Sequence, residues 1–102
     1  MKNAKDFFAK HSRSDAEITN KIFDKRLSRQ EQSIWMLLKT FTSKGYQPSI
    51  AELCKFGLVG NRTLKKLIIL LEEKNMITVI RSYSGGGKNE YHCLSASQWK
   101  LN

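Results

Sequence analysis

The chain has 102 residues, room for one small domain and a short arm rather than two full cores. Its 18 Lys+Arg against 9 Asp+Glu leave a formal charge of +9, which favours a polyanionic partner through phosphate neutralisation and counterion release. No apolar run approaches the ~20 residues that span a bilayer, and MKNAKDFFAKHS has no signal-peptide core, so a cytoplasmic protein without membrane contact is expected.

Residues 1–27 read as an N-terminal arm, partly helical. Ser14-Asp15-Ala16-Glu17 matches a capping box, and Ile18 with Ile22 is spaced for one helical face. An extended segment over ITNKIF is the alternative. Phe7, Phe8 and Phe23 need a surface to pack on, supplied either by the domain or by a second subunit.

The first well-signalled helix starts at Ser28, which forms a capping box with Glu31. Ile34, Leu37, Leu38 and Phe41 follow at i, i+3, i+4 and i+7, and Gly45 supplies the stop. Trp35 and Met36 fall off that stripe, which predicts a helix covered on more than one side, with Trp35 in the core. A second helix begins at Pro48-Ser49, where Ser49 caps and Glu52 reaches back; Ile50, Leu53 and Cys54 mark its buried face. Gly57 through Gly60 make a turn, and Gly60 is an N-cap with no side-chain oxygen.

A third helix is predicted over about 61–74, with Leu64, Leu67, Ile68 and Leu71 as its core stripe and Asn75 in the left-handed position that ends it. Arg62, Lys65 and Lys66 occupy its first half, and Glu72 and Glu73 its end. A helix obeying only its macrodipole carries acids first and bases last. The reversed order suits a helix that enters a groove of DNA amino end first, cations against phosphates.

Two strands follow. Ile77, Val79, Arg81 and Tyr83 alternate with Thr78, Ile80 and Ser82; Ser84-Gly85-Gly86-Gly87 forms a flexible tip, and Lys88-Asn89-Glu90 leads into Tyr91-His92-Cys93-Leu94. The glycine run lacks the strand-to-helix context and the terminal Lys-Ser/Thr of a phosphate-binding loop. In the tail, SASQWKLN, Trp99 either packs back onto the domain or begins a further segment. Cys54 and Cys93 read as small buried hydrophobes, and neither they nor His11 and His92 have metal-ligand spacing. No paired-carboxylate, Cys-His or Ser-His arrangement points to an enzyme, so no cofactor is expected.

These elements predict a mainly helical α+β fold: a three-helix core with a β-hairpin wing over 28–94, an N-terminal helical arm over 1–27 and a tail over 95–102. Pro48-Ser49, Glu52-Leu53, Thr63-Leu64, Leu71-Glu72 and Ile77 resemble the winged helix-turn-helix pattern of many bacterial regulators. With IFDKRLSRQEQSIWMLLKTF upstream and NEYHCL downstream, residues 20–94 look most like the winged helix-turn-helix domains of plasmid and phage replication proteins. Similar domains occur in other mobile-element proteins, including conjugation accessory factors. The chain departs from that pattern at Leu58, which stands at the usual turn glycine with Gly57 one place earlier. It departs also at Gly60, usually Ser, and at Asn75, usually Gly. A differently shaped turn is therefore expected.

The resemblance implies a double-stranded DNA-binding protein serving mobile-element replication, transfer or transcriptional control. By position, Arg62 and Asn61 are the candidates for base edges, while Thr63, Lys65 and Lys66 suit phosphates. Ser49 and the amides at the start of its helix suit a phosphate as well. Arg81 and Lys88 would lie along the wing, near the minor groove or its backbone. The alternative is a protein-interaction module that uses exposed Ile69 or Trp99. Many helix-turn-helix proteins pair to match palindromic sites, and residues 1–27 are where a homodimer interface is expected. No small-molecule effector is indicated.

Overall fold

The computed structural model describes residues 19–82 and 89–101. Helix α1 (Arg29–Thr42) starts where both halves of the expected capping box close. Ser28 Oγ accepts from the Glu31 amide at 3.1 Å, and the Glu31 carboxylate accepts from the Ser28 amide at 2.9 Å. The helix gives way at Ser43, and Gly45, at φ +76°, turns the chain. Ile34, Trp35, Leu38 and Phe41 are all buried on α1, while Met36 and Leu37 are partly covered, so the helix is wrapped on more than one side.

Helix α2 (Ile50–Gly57) and helix α3 (Asn61–Glu73) pack against α1 and each other, and α3 buries Leu64, Leu67, Ile68 and Leu71. The connection between them is where the sequence departs from the winged helix-turn-helix pattern it resembles, yet the turn keeps an ordinary left-handed cap. Leu58 takes that conformation, at φ 56° and ψ 42°, and its amide bonds the Cys54 carbonyl. Gly57 serves a different need. A Cβ there would stand 2.6 Å from Ile34 Cδ1, so the glycine lets α2 close onto α1. The expectation of a differently shaped turn is corrected on this point: a glycine's two usual uses, close approach and positive φ, fall on adjacent residues.

Asn75 is left-handed, at φ 58°, as expected, and reverses the chain from α3 into β1 (Ile77–Ile80). β1 pairs antiparallel with β2 (Glu90–Cys93) in the register Ile77↔Cys93 to Ile80↔Glu90. The strand ends at Ile80, short of the expected alternation through Tyr83, a residue outside those described. One bond continues it at the root of the loop, from the Ser82 amide to Asn89 Oδ1 at 3.2 Å. The outer edge of β2 is covered by a side chain. Gln47 Oε1 accepts from the Tyr91 amide at 2.8 Å, and Gln47 Nε2 donates to the Tyr91 carbonyl at 3.1 Å, so one amide group imitates a third strand.

Among the described residues, three α-helices and a two-stranded antiparallel hairpin make the winged-helix arrangement. The packed unit is wider than 28–94. Ile22 and Leu27 are buried ahead of α1, and Trp99 and Leu101 beyond β2. Asn20–Phe23 forms a 3-10 helix capped by Thr19, in place of the extended segment considered for ITNKIF. Phe23 itself is exposed. Phe7, Phe8 and the Ser14–Glu17 box lie outside the described residues.

Trp99 packs back, its ring edge-on to Trp35 with centroids 5.0 Å apart. Both indoles are satisfied: Trp35 Nε1 donates to the Met76 carbonyl at 3.2 Å, and Trp99 Nε1 to the Leu94 carbonyl at 3.0 Å. Lys74, just past α3, ion-pairs with the buried Glu31 that also caps α1. Burial pushes the Glu31 carboxyl up, but the Lys74 ammonium and the Ser28 amide outweigh it and hold the group below its ordinary value. No helix among the described residues is long and apolar enough to cross a membrane.

Candidate nucleic-acid interface

The core stripe of α3 fixes what the helix can present. With Leu64, Leu67, Ile68 and Leu71 turned inward, Arg62, Lys66, Ile69 and Glu73 run along the outermost line at i, i+4, i+7 and i+11. Asn61, Thr63 and Lys65 flank that line, and all seven residues are exposed. The five candidates predicted for the start of α3 are thus gathered on one solvent-facing end of one helix. Arg62, Lys65 and Lys66 have no ion-pair partner among the described residues.

The backbone adds to this charge. α1 and α2 each carry a glutamate in the first turn that accepts from the N-cap amide. α3 has neither an acid in its first turn nor a side-chain cap, because Gly60 has no oxygen to offer. The first amides of α3 therefore lack a side-chain acceptor, and the positive end of its dipole lies under three cations. Like charges at i, i+4 (Arg62 and Lys66) cost a further few tenths of a kcal/mol, roughly 0.2–0.5. For folding alone this is a poor distribution. For a ligand carrying several negative charges it is a favourable one.

Ser49 does not join the group. Its hydroxyl accepts from the Glu52 amide at 3.1 Å, while Glu52 Oε1 accepts from the Ser49 amide at 2.9 Å and Oε2 from the Tyr46 phenol at 2.5 Å. That bond, with some burial, pushes the Tyr46 phenol up to about 12. The amino end of α2 already holds a carboxylate of the chain's own, which repels a phosphate. The expectation for Ser49 is revised on that account.

Arg81 is exposed just beyond β1, as expected of a wing residue, but its guanidinium forks onto Glu72 in the last turn of α3. Nη1 and Nη2 lie 3.0 and 2.6 Å from the two carboxylate oxygens. Sequence reading placed Glu72 among residues that merely trail the cations, and no local spacing signals a partner nine residues away across a turn. Lys88 and the glycine run lie outside the described residues.

One other cation-lined feature among the described residues is less suited to an anion. A cavity of about 540 Å³ is lined by Lys21, Arg26, Glu73, Trp99, Lys100 and Leu101. Two of its three cations are used within the fold: Lys21 donates to the Ala96 carbonyl at 2.9 Å, and Arg26 pairs with Asp24 at 2.7 Å. Trp99 is 6% exposed, which removes it as a contact residue for an interaction module; Ile69, at 49%, remains available. No three His, Cys, Asp or Glu side chains among the described residues cluster to hold a metal ion. Cys54 and Cys93 are free and half-buried. Burial pushes the Cys93 thiol up to about 11.

Comparisons of the chain with protein-family models, with curated proteins and with solved structures return no match.

Proposed function

We propose that this chain binds double-stranded DNA in the cytoplasm, with the amino half of α3 in the major groove and the wing beside the backbone or minor groove. The observation that carries the reading is the start of α3, exposed, uncapped, without an acid and bearing Arg62, Lys65 and Lys66. A helix of this width fits the major groove, and burial of the Leu64, Leu67, Ile68 and Leu71 stripe leaves its opposite face to solvent. Arg62 is placed to fork onto a guanine edge and Asn61 onto adenine, each good pair giving about 1–3 kcal/mol of discrimination. Thr63, Lys65 and Lys66 then hold phosphates and set register. The resemblance to plasmid and phage replication domains supports mobile-element replication, transfer or transcriptional control as the process served.

The test is equilibrium binding to duplex DNA across a salt series. Affinity is expected to fall on a log–log plot with a slope of about −0.9 per phosphate contacted. Lys66→Ala should make that slope shallower by about one contact, and Arg62→Ala should relax sequence preference at a single position. Absence of duplex binding at low salt would sink the proposal.

A further inference from the structure

The hairpin has only two strands of four residues, a unit that is marginal on its own and needs attachment to stay in place. Its inner face is anchored by Ile77 and Tyr91, and the free edge of β2 by the Gln47 amide. On the β1 side, beyond the last paired residue, Arg81 makes a two-point contact with Glu72 on α3. Glu72 belongs to the same helix that carries Arg62, Lys65 and Lys66. The pair therefore joins the root of the wing to the proposed recognition helix. Both partners are partly shielded, with 38% and 27% of their side chains exposed, so solvent does not fully screen the contact.

Building on the duplex-binding reading, we propose that Glu72 is a positioning residue for DNA. It acts through Arg81 to hold the wing at one angle to α3, so that helix and wing reach the duplex together. Arg81 serves this latch in place of a phosphate contact. A surface held in its bound arrangement loses less freedom on association than one that must be ordered by the ligand. The effect has the opposite sign to simple electrostatics. A carboxylate on a DNA-facing helix repels phosphates, so charge alone predicts tighter binding when Glu72 is neutralised. The latch predicts weaker binding.

The experiment measures affinity of the full chain for a duplex by fluorescence anisotropy over a salt series. It is run well below the unfolding transition, with wild type, Glu72→Gln, Arg81→Ala and the double variant. Glu72→Gln is expected to bind roughly two- to fivefold more weakly, the range of a partly exposed ion pair expressed as affinity. Arg81→Ala should lose a similar factor with an unchanged salt slope. The double variant should be no worse than Arg81→Ala, because both changes open one latch. Equal or tighter binding by Glu72→Gln would overturn the proposal. So would a slope about 0.9 shallower in Arg81→Ala, which would make Arg81 a phosphate ligand. Wild type failing to bind any duplex at low salt would remove the duplex-binding reading and this inference with it. Binding by wild type with the wrong sign for Glu72→Gln removes the inference alone.

Discussion

Leu58→Gly should stabilise this protein although it deletes a whole side chain. Leu58 sits at φ 56° and ψ 42°, where an L-residue's Cβ crowds the following carbonyl oxygen, at a cost of roughly 1–2 kcal/mol. The side chain is 90% exposed, so removing it forfeits almost no burial. Glycine returns part of the gain by loosening the unfolded chain, roughly 0.5–1 kcal/mol. The expected net is about 0.5–1 kcal/mol of added stability, or roughly 2–8 °C in Tm for a domain of this size. Urea denaturation followed by tryptophan fluorescence, with Trp35 and Trp99 as buried reporters, gives the free energy directly. The midpoint should rise while the denaturant slope stays constant. Leu58→Ala is the decisive control, since alanine keeps the Cβ and hence the strain. If Leu58→Ala stabilises as much as Leu58→Gly, the gain comes from removing exposed apolar surface, and the backbone argument is refuted. A Leu58→Gly protein no more stable than wild type refutes it as well.

The neighbouring change should run the other way. Gly57→Ala places a methyl 2.6 Å from Ile34 Cδ1, the end of a fully buried side chain with core neighbours around it. Overpacking of about 1–3 kcal/mol outweighs a helix-propensity gain of up to about 1 kcal/mol, so the urea midpoint should fall. Glu31→Gln should alter the acid limb of stability. The folded carboxyl lies below its ordinary value of 4.5, so its contribution is complete above that pH and is lost as pH falls through the folded value. Wild type minus Glu31→Gln, measured by urea melts between neutral and strongly acid pH, should shrink below pH 4.5; a difference independent of pH would contradict the ion pair with Lys74. Cys93, its thiol pushed up to about 11 by burial, should resist a thiol-exchange reagent at pH 8. In a Cys54→Ser protein the remaining thiol should react at once in denaturant and slowly without it; equal rates would place Cys93 at the surface.

The N-caps of all three helices could be read in advance because their chemistry is local. Ser28 with Glu31, and Ser49 with Glu52, satisfy backbone groups within one turn, so spacing alone specifies them. The stripe of α3 and the left-handed Asn75 are local in the same sense. What escaped the sequence is which distant groups meet, even where, as for Trp99, packing back was one of the expectations. Lys74 meets Glu31, Gln47 edges Tyr91, and Trp99 seals Trp35, each only after α1 has been packed against the rest. The division of labour between Gly57 and Leu58 is tertiary too. The glycine is required by Ile34 on another helix, which leaves the positive φ to whatever residue comes next.

The same distinction separates the candidate site's members. Asn61, Arg62, Thr63, Lys65 and Lys66 follow from helical phase, since the apolar stripe dictates which residues are left for solvent. Ser49 and Arg81 looked equivalent to them by position, but each has a carboxylate within hydrogen-bond reach, one from its own turn and one from across the fold. The acids at the end of α3 consequently change meaning. In sequence, Glu72 and Glu73 are the trailing half of a charge order that opposes the dipole. In the fold, Glu73 stays exposed while Glu72 is occupied by the wing. The case against a purely structural helix rests on its first turn, where α1 and α2 place a glutamate and α3 places Arg62 beside bare amides. A neutral first turn would have served folding better, and that surplus of positive charge is what a polyanion would use.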